Sequence, residues 1–410
     1  MEIISSKNKF LKIKIRTDNE ARLQALLVFY WAYGLITSVI NFASGLIGLS
    51  EYSGLFCGVL TAVMVLYSFQ AILRYIRFRH LAFYATVMLV YGLTFIVFPE
   101  NTKWLQENIL EFAFLILPFF FLGVMLDKIQ IPIGILIRIS RIIIVFMFLV
   151  FLFYSVIETD HEMGRAYGVL PSVMLVTHSM LKKWNVWDFT AMIVGGIFLL
   201  MCATRGPILL FVIFVLLQLF LISKKHRVLY IILLGLVLIL GLSPLGTQLI
   251  QNVMLRFSEG GFNVRVFEYL LSGDFMDDNG RNYLTDRVFA MINERPLMGN
   301  GLYSDRLATS SLAWAREGSY VHNIIYELWC DFGYILGSLL VLVLIWMIVK
   351  TYKNISDNGN LKVLFIVLAL CFIGKLFVSS SFMDEVGFWL CIGICFEAIK
   401  KKNVAVKKVT

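Results

Sequence analysis

Charge is what this sequence has least of. Only 15% of its 410 residues are Asp, Glu, Lys or Arg, while 59% are hydrophobic and the mean hydropathy is +0.82; soluble domains carry roughly 25% charged residues. That leaves too little polar surface to cover a water-exposed core of this size, so a soluble globular protein is excluded and a membrane protein is expected. A formal net charge of +9 would raise the question of nucleic acid in a soluble chain. In a polytopic chain it is the expected sum of cytoplasmic Lys and Arg anchors, and no nucleic-acid partner is expected. The six cysteines (Cys57, Cys202, Cys330, Cys371, Cys391 and Cys395) all fall in or beside apolar runs. Neither a disulfide framework nor a zinc site follows, because Cys391 and Cys395 share a helix face without companion ligands. No cleavable signal peptide is expected, since the charged N-terminal region is long and the first apolar run is a full span, expected to serve as its own anchor.

What the sequence has is apolar runs. A bilayer core needs about 20 apolar residues as helix, and about twelve runs approach this: 23–43, 54–73, 81–98, 109–126, 142–157, 168–181, 189–203, 208–222, 228–243, 323–349, 361–380 and 387–399. The nearly unbroken stretch 189–222 would be about 51 Å long as one helix, too long for one crossing. Arg205-Gly206-Pro207 at its middle is a normal helix break, so a tight hairpin with Arg205 at its tip is expected. The fold class is therefore an all-α polytopic membrane protein of about 12 transmembrane helices. A first bundle occupies 1–243, one large external helical loop 244–322, and a second bundle with a basic tail 323–410. Alternation puts 25 of the 36 Lys and Arg on one side, which makes that side the cytoplasm, with both termini there. Most acids then lie outside, and the external arginines stand out against them.

Several residues read as structural. Trp104, Trp184, Trp187 and Trp346 are expected as interfacial anchors. Gly195-Gly196, Gly333 and Gly337 suit close helix contact, and Glu111 and Lys375, near the outer boundary, suit snorkelling. The run Lys7 to Arg16 is most simply a surface attracted to anionic lipid.

The external loop is where function is expected. Val264–Leu271 and Tyr283–Ile292 carry helix-like apolar spacing, which predicts a small helical cap. The loop holds seven arginines and no lysine. Arg presents a planar fork that grips phosphate bidentately, whereas Lys is a point charge, so the loop suits a phosphate or pyrophosphate. The alternative is that these arginines pair with the loop's own acids. Asp274, Asp277 and Asp278 miss the calcium-loop spacing and read as a turn before Arg281; no metal or other cofactor is expected. Among the five histidines only His161 and His322 face outside. His322, in Tyr320-Val321-His322-Asn323 at the membrane boundary, suits general-base work near pH 7, with Asn323 and Glu327 on one helix face. On spacing alone a capping histidine stays equally open.

Three stretches taken together resemble the O-antigen polymerase and O-antigen ligase superfamily of bacterial envelope glycosyltransferases. They are Thr204-Arg205-Gly206-Pro207, then Gly280-Arg281 followed by Pro296-Leu297-Met298-Gly299-Asn300-Gly301-Leu302, and then His322-Asn323 entering a span that continues to Phe332-Gly333-Tyr334. The resemblance implies a GT-C-like fold in the bacterial inner membrane, with the active site facing outside. It implies transfer of an undecaprenyl-pyrophosphate-linked oligosaccharide onto an acceptor hydroxyl, without metal or nucleotide sugar. Membrane lipid, a chain-length regulator and a flippase are the further partners it suggests. Carried over by position, Arg205 and Arg281 would hold the pyrophosphate and His322 would be catalytic. Arg287, Arg165 in Gly164-Arg165-Ala166 and Asn323 are further substrate-binding candidates. The turn at Pro171 departs from the Asn-Pro-Asn run that ligases often carry. The contexts of Tyr320 to Glu327 and of Ser379-Ser380-Ser381 before Phe388-Trp389 look more like polymerases than ligases. A secondary transporter also explains a dozen spans, but no repeat relates the two halves.

Overall fold

An apolar run in lipid satisfies its backbone polar groups as helix, and helix is what the runs form where the structure describes them. The computed structural model describes residues 2–4, 12–14, 19–154, 162–202, 205–222, 252, 281–310, 312, 318–355 and 359–406. Two short strands, β1 (Glu2–Ile4) and β2 (Lys12–Lys14), pair antiparallel. The first expected span is two helices, α1 (Asn19–Trp31) and α2 (Tyr33–Leu46), bent by 60°. Then come α3 (Ser53–Tyr75) and α4 (Phe78–Val97), followed by α5 (Thr102–Glu111), which runs through a π-helical stretch and a turn into α6 (Phe119–Leu126). The first bundle continues with α7 (Ile133–Tyr154), α8 (Glu162–Lys182), α9 (Val186–Met201) and α10 (Arg205–Ile222).

Beyond the loop lie α11 (Arg281–Glu294) and α12 (Ser304–Ser310), then α13 (Ile324–Asn354). The chain closes with α14 (Gly359–Leu368), prolonged by π and 3-10 turns to Phe377, and α15 (Val386–Val406). Among the described residues six segments are long and apolar enough to cross a membrane, seven with the bent α1–α2 pair. Shorter α9 and α10 flank the expected break: α9 ends at Met201 and α10 begins at Arg205, with Pro207 in its first turn. α11 is the helix expected at Tyr283–Ile292. Pro171, expected at a turn, lies inside α8. The span at 228–243, the loop helix Val264–Leu271, His161, Thr204, Gly280, the acids Asp274, Asp277 and Asp278, and Arg256, Arg265 and Arg316 lie outside the described residues.

The tightest packing is glycine against backbone. α6 and α15 cross where a Cβ on Gly123 would strike the Leu390 carbonyl and one on Gly393 the Phe120 carbonyl. Small residues let helix backbones approach this closely in lipid, where dispersion drives association. Gly195 lies close against the Val173 side chain, a helix contact as expected, but Gly196 faces open space. One end of α15 is tied by Glu397, which is 3% exposed and ion-paired with Arg79, with Lys128 at 2.6 Å and with His80 at 3.4 Å. The tryptophans divide. Trp184, Trp187 and Trp346 are exposed as anchors should be, but Trp104 is 6% exposed and belongs to the core, with Lys103 over its ring at 4.8 Å.

Gly393→Val therefore forces two backbones apart and should cost about 3 kcal/mol, at the upper end for overpacking, with loss of monodisperse protein in detergent. Gly196→Ala should leave the melting temperature unchanged or slightly raised in the same assay.

Candidate functional site

The loop is fastened to the membrane helices by backbone. Gly299 and Gly301 adopt left-handed φ values of 72° and 80°, and Gly333 breaks α13 with φ 78° and ψ 170°. Glycine takes these values at no steric cost. The segment Pro296–Leu302 then lies in the break. The Asn300 N–H donates to the Cys330 carbonyl at 2.8 Å, the Gly301 N–H to Asp331 at 2.9 Å, and the Tyr334 N–H back to Pro296 at 2.8 Å. A Cβ on Gly299 would strike the Asp331 carbonyl, and one on Gly333 would meet that of Leu297 at 2.6 Å. Asn101 fixes the other side, its Nδ2 donating to the carbonyls of Asn300 at 2.7 Å and Leu302 at 3.1 Å. The second and third sequence elements are thus two halves of one interlock. Gly333, expected at a helix–helix contact, is instead the break that admits the loop.

The interlock delivers α12 and the chain around His322 to one place. Asp305, 2% exposed, accepts from the Arg306 N–H at 2.9 Å and from the Val321 N–H at 3.1 Å, which pins the returning strand to α12. Ser304 Oγ donates to Asp331 Oδ1 at 3.0 Å. Arg306 is 5% exposed and lies over the Tyr303 ring at 4.3 Å and the Tyr320 ring at 5.9 Å, an arrangement worth more once desolvated. Its Nη2 pairs with Asp384, from the segment between α14 and α15. That segment closes the cluster. Ser381 Oγ donates to Glu327 Oε1, the Phe382 N–H to Glu327 Oε2 at 3.3 Å, and Lys375 Nζ lies 2.5 Å from Glu385 Oε2. Lys375 therefore does not snorkel as expected; its partner holds it over the Tyr167 ring at 5.0 Å.

The charges here are mutually adjusted. Burial works against the Arg306 cation, but Asp384 and Asp305 outweigh it and raise its pKa further. Burial also raises the Asp305 and Asp384 carboxyls, against the pull of Arg306 on both. The Tyr320 phenol is pushed up to about 12 by burial, with Asp384 and Glu327 adding to it.

His322 is half-buried beside the Tyr320 ring, centroids 4.3 Å apart, and has a left-handed φ of 55°. A non-glycine residue there costs of the order of 1 kcal/mol, and such strain clusters at functional sites. Asn323 Oδ1 accepts from the Ile325 N–H at 2.9 Å and so caps α13. Arg165 and Arg205 are half-buried in the first turns of α8 and α10. Those turns meet. Gly206 is so close to Tyr167 that a Cβ would strike its hydroxyl, and Ser379 Oγ touches Met163 Sδ at 3.3 Å. Residues 375–385 therefore bridge the Arg165 and Arg205 helix ends to Arg306 and Glu327. Arg281 is the first residue of α11, and Arg287 is exposed on it. Arg295 pairs at 2.9 Å with Glu100, an acid from outside the loop. Arg306 and Asp384 escaped the sequence reading. Arg306 was one loop arginine of seven, and nothing local marked Asp384 as its partner 78 positions away.

Residues 189–342 match the family model described as O-antigen ligase. This stretch belongs to the O-antigen ligase and polymerase superfamily. The O-antigen ligase-type domain runs from α9 into α13, so it holds Arg205, Arg281, Arg287, Arg306, His322 and Asn323 but neither Arg165 nor the 375–385 bridge. No curated protein matches the chain. The domain indicates a membrane-embedded, glycosyltransferase-like enzyme acting on surface polysaccharide in the manner of an O-antigen ligase or polymerase.

Removing Asp384 leaves a buried guanidinium without its carboxylate. In a double-mutant cycle of Arg306→Ala and Asp384→Asn, unfolding should show a coupling of about 1–2 kcal/mol, less than for a fully buried pair because Asp384 is partly exposed. Additive single effects would mean that the pair contributes nothing.

Proposed function

We propose that the protein is a surface-polysaccharide polymerase. In this reading an undecaprenyl-pyrophosphate-linked glycan is transferred onto a second lipid-linked repeat unit, outside the membrane, by inverting displacement without a metal. The observation that carries it is the bridge 375–385. On one side it meets two helix N-terminal ends bearing Arg165 and Arg205, and on the other a buried acid–arginine cluster beside a strained histidine.

Each side suits one substrate. Helix N-termini and arginine forks favour an anion, so Arg165 and Arg205, with Arg281 and Arg287 from α11, are assigned to the donor pyrophosphate. The acceptor hydroxyl oxygen attacks the donor's anomeric carbon, and the bond from that carbon to the pyrophosphate oxygen breaks. Undecaprenyl pyrophosphate leaves with the electron pair while His322 takes the hydroxyl proton. Preorganised guanidiniums stabilise the charge developing on the leaving group better than water does, and a positioned base contributes about 10²- to 10⁴-fold. Because Asn323 Oδ1 caps α13, its NH2 is the part assigned to substrate. The two segments whose sequence favours polymerase over ligase, 320–327 and 379–389, are joined through Ser381 and the Phe382 N–H, which both donate to Glu327, and this supports one acceptor site built from both.

Arg205→Lys and Arg281→Lys should each lose about 10²-fold or more in transfer although charge is kept, because the fork is lost. His322→Ala should lose about 10²- to 10⁴-fold while still inserting and binding donor; an active His322→Ala would reduce that residue to a structural role. The deciding assay gives purified protein an undecaprenyl-pyrophosphate repeat unit, alone and with lipid A core. A ladder of longer lipid-linked products is expected, insensitive to EDTA. Core-linked glycan without a ladder would make the protein a ligase, and proton-driven solute uptake without transfer would make it a transporter.

A further inference from the structure

A second polar site lies at the other end of the bundle. A cavity of about 530 Å³ opens between α7, α8, α10, α13 and α14. One of its walls includes Lys182, the last residue of α8, which the helix rise places about 26 Å along the axis from Arg165. The polar lining includes His178 and Lys182, one turn apart on α8 with Ser179 between them, Gln218 on α10, and Asn360 and Lys362 in the first turn of α14. Much of the remainder is isoleucine, leucine and valine.

This lining offers donors and positive charge to whatever enters. Gln218 is 1% exposed; its Oε1 meets His178 Nδ1 at 2.9 Å, and its Nε2 has no hydrogen-bond partner among the described residues. A buried amide N–H2 left in this state marks the place of an absent acceptor. Among the described residues neither Lys182 nor Lys362 forms an ion pair, and Lys362 Nζ is held 4.1 Å above the Tyr352 ring. Asp188, bonded to the lining residue Ser179, is already engaged: it accepts from Arg141 Nε at 2.7 Å and from Ser179 Oγ at 2.9 Å. The first turn of α14 adds N–H groups that have no acceptor within the helix. Among the described residues a Cβ on Gly359 would meet nothing within 4 Å.

We propose that this cavity binds the phosphate group of an anionic amphiphile. Phosphate oxygens accept from Gln218 Nε2, Lys182 and Lys362, and the hydrocarbon lies along the aliphatic wall. A basic pocket between membrane helices is the recognised setting for such headgroups, and the aliphatic wall favours a lipid phosphate over free phosphate. The inference is independent of the transfer chemistry and is read by binding alone.

The test uses the full-length protein in neutral detergent, titrated with dioctanoyl phosphatidylglycerol, uncharged dioctanoylglycerol or inorganic phosphate while thermal unfolding is followed. Phosphatidylglycerol should raise the melting temperature saturably and dioctanoylglycerol should not; a parallel effect of inorganic phosphate would assign the site to free phosphate rather than lipid while keeping its chemistry. Lys182→Ala/Lys362→Ala should weaken phosphatidylglycerol about tenfold or more, and Lys182→Arg/Lys362→Arg should retain it. Gln218→Glu, nearly isosteric but negative, should abolish it. No stabilisation of the wild type by either phosphate compound, equal stabilisation by dioctanoylglycerol, or undiminished binding by Gln218→Glu would overturn the proposal.

Discussion

The contact between the loop backbone at 296–302 and the break at Gly333 is the constraint on which the rest of the site depends. Three backbone hydrogen bonds cross it, each contributing about 1 kcal/mol net, and three left-handed glycines let the two chains come close enough to form them. Any side chain at Gly299 or Gly333 would meet carbonyl oxygen rather than a yielding side chain. Because the break falls nine residues into α13, the turn bearing Glu327 and Asp331 is angled off the membrane helix and presented to α12. Without that geometry Arg306, Asp305 and the 320–322 strand would have nothing to close against.

Once the loop is locked, the chemistry divides by sign. Two helix starts carry arginines and point the positive ends of their dipoles toward the bridge. Across the bridge from them stand Asp305, Glu327, Asp331 and Asp384, with Arg306 paired to Asp384, while Lys375 is paired to Glu385 beside Tyr167. An excess of carboxylate is a poor place for a pyrophosphate, so the arginine-bearing helix starts are the side that suits one. Under the proposed function, the helix starts serve the anionic donor and the far side of the bridge serves the sugar acceptor.

Much of the fold was legible because its signals are local. The break at Arg205-Gly206-Pro207 and the helix over Tyr283–Ile292 were both readable, one from Gly-Pro punctuation and the other from 3.6-residue spacing. The motif Pro296 to Leu302 was recognisable, but its reason was not, since the partner of its glycines is the backbone of another segment. Burial decided the misreadings. Trp104 has the composition of an interfacial anchor and sits in the core, and Lys375 looked free to snorkel until Glu385 supplied a partner. Arg306 could not be told from its six sisters because only tertiary packing puts it between two tyrosines and an aspartate from a distant segment.

The claim that the loop interlock assembles the active site can be tested by comparing wild type and Gly299→Ala in lipid nanodiscs, with amide hydrogen exchange over residues 299–304 and 334 followed alongside glycan transfer. The account predicts that the wild-type amides of Asn300, Gly301 and Tyr334 exchange as slowly as those within α13, and that Gly299→Ala loses both this protection and transfer while remaining inserted. Fast exchange at these amides in the wild type, or full transfer by a Gly299→Ala protein that has lost protection, would contradict it.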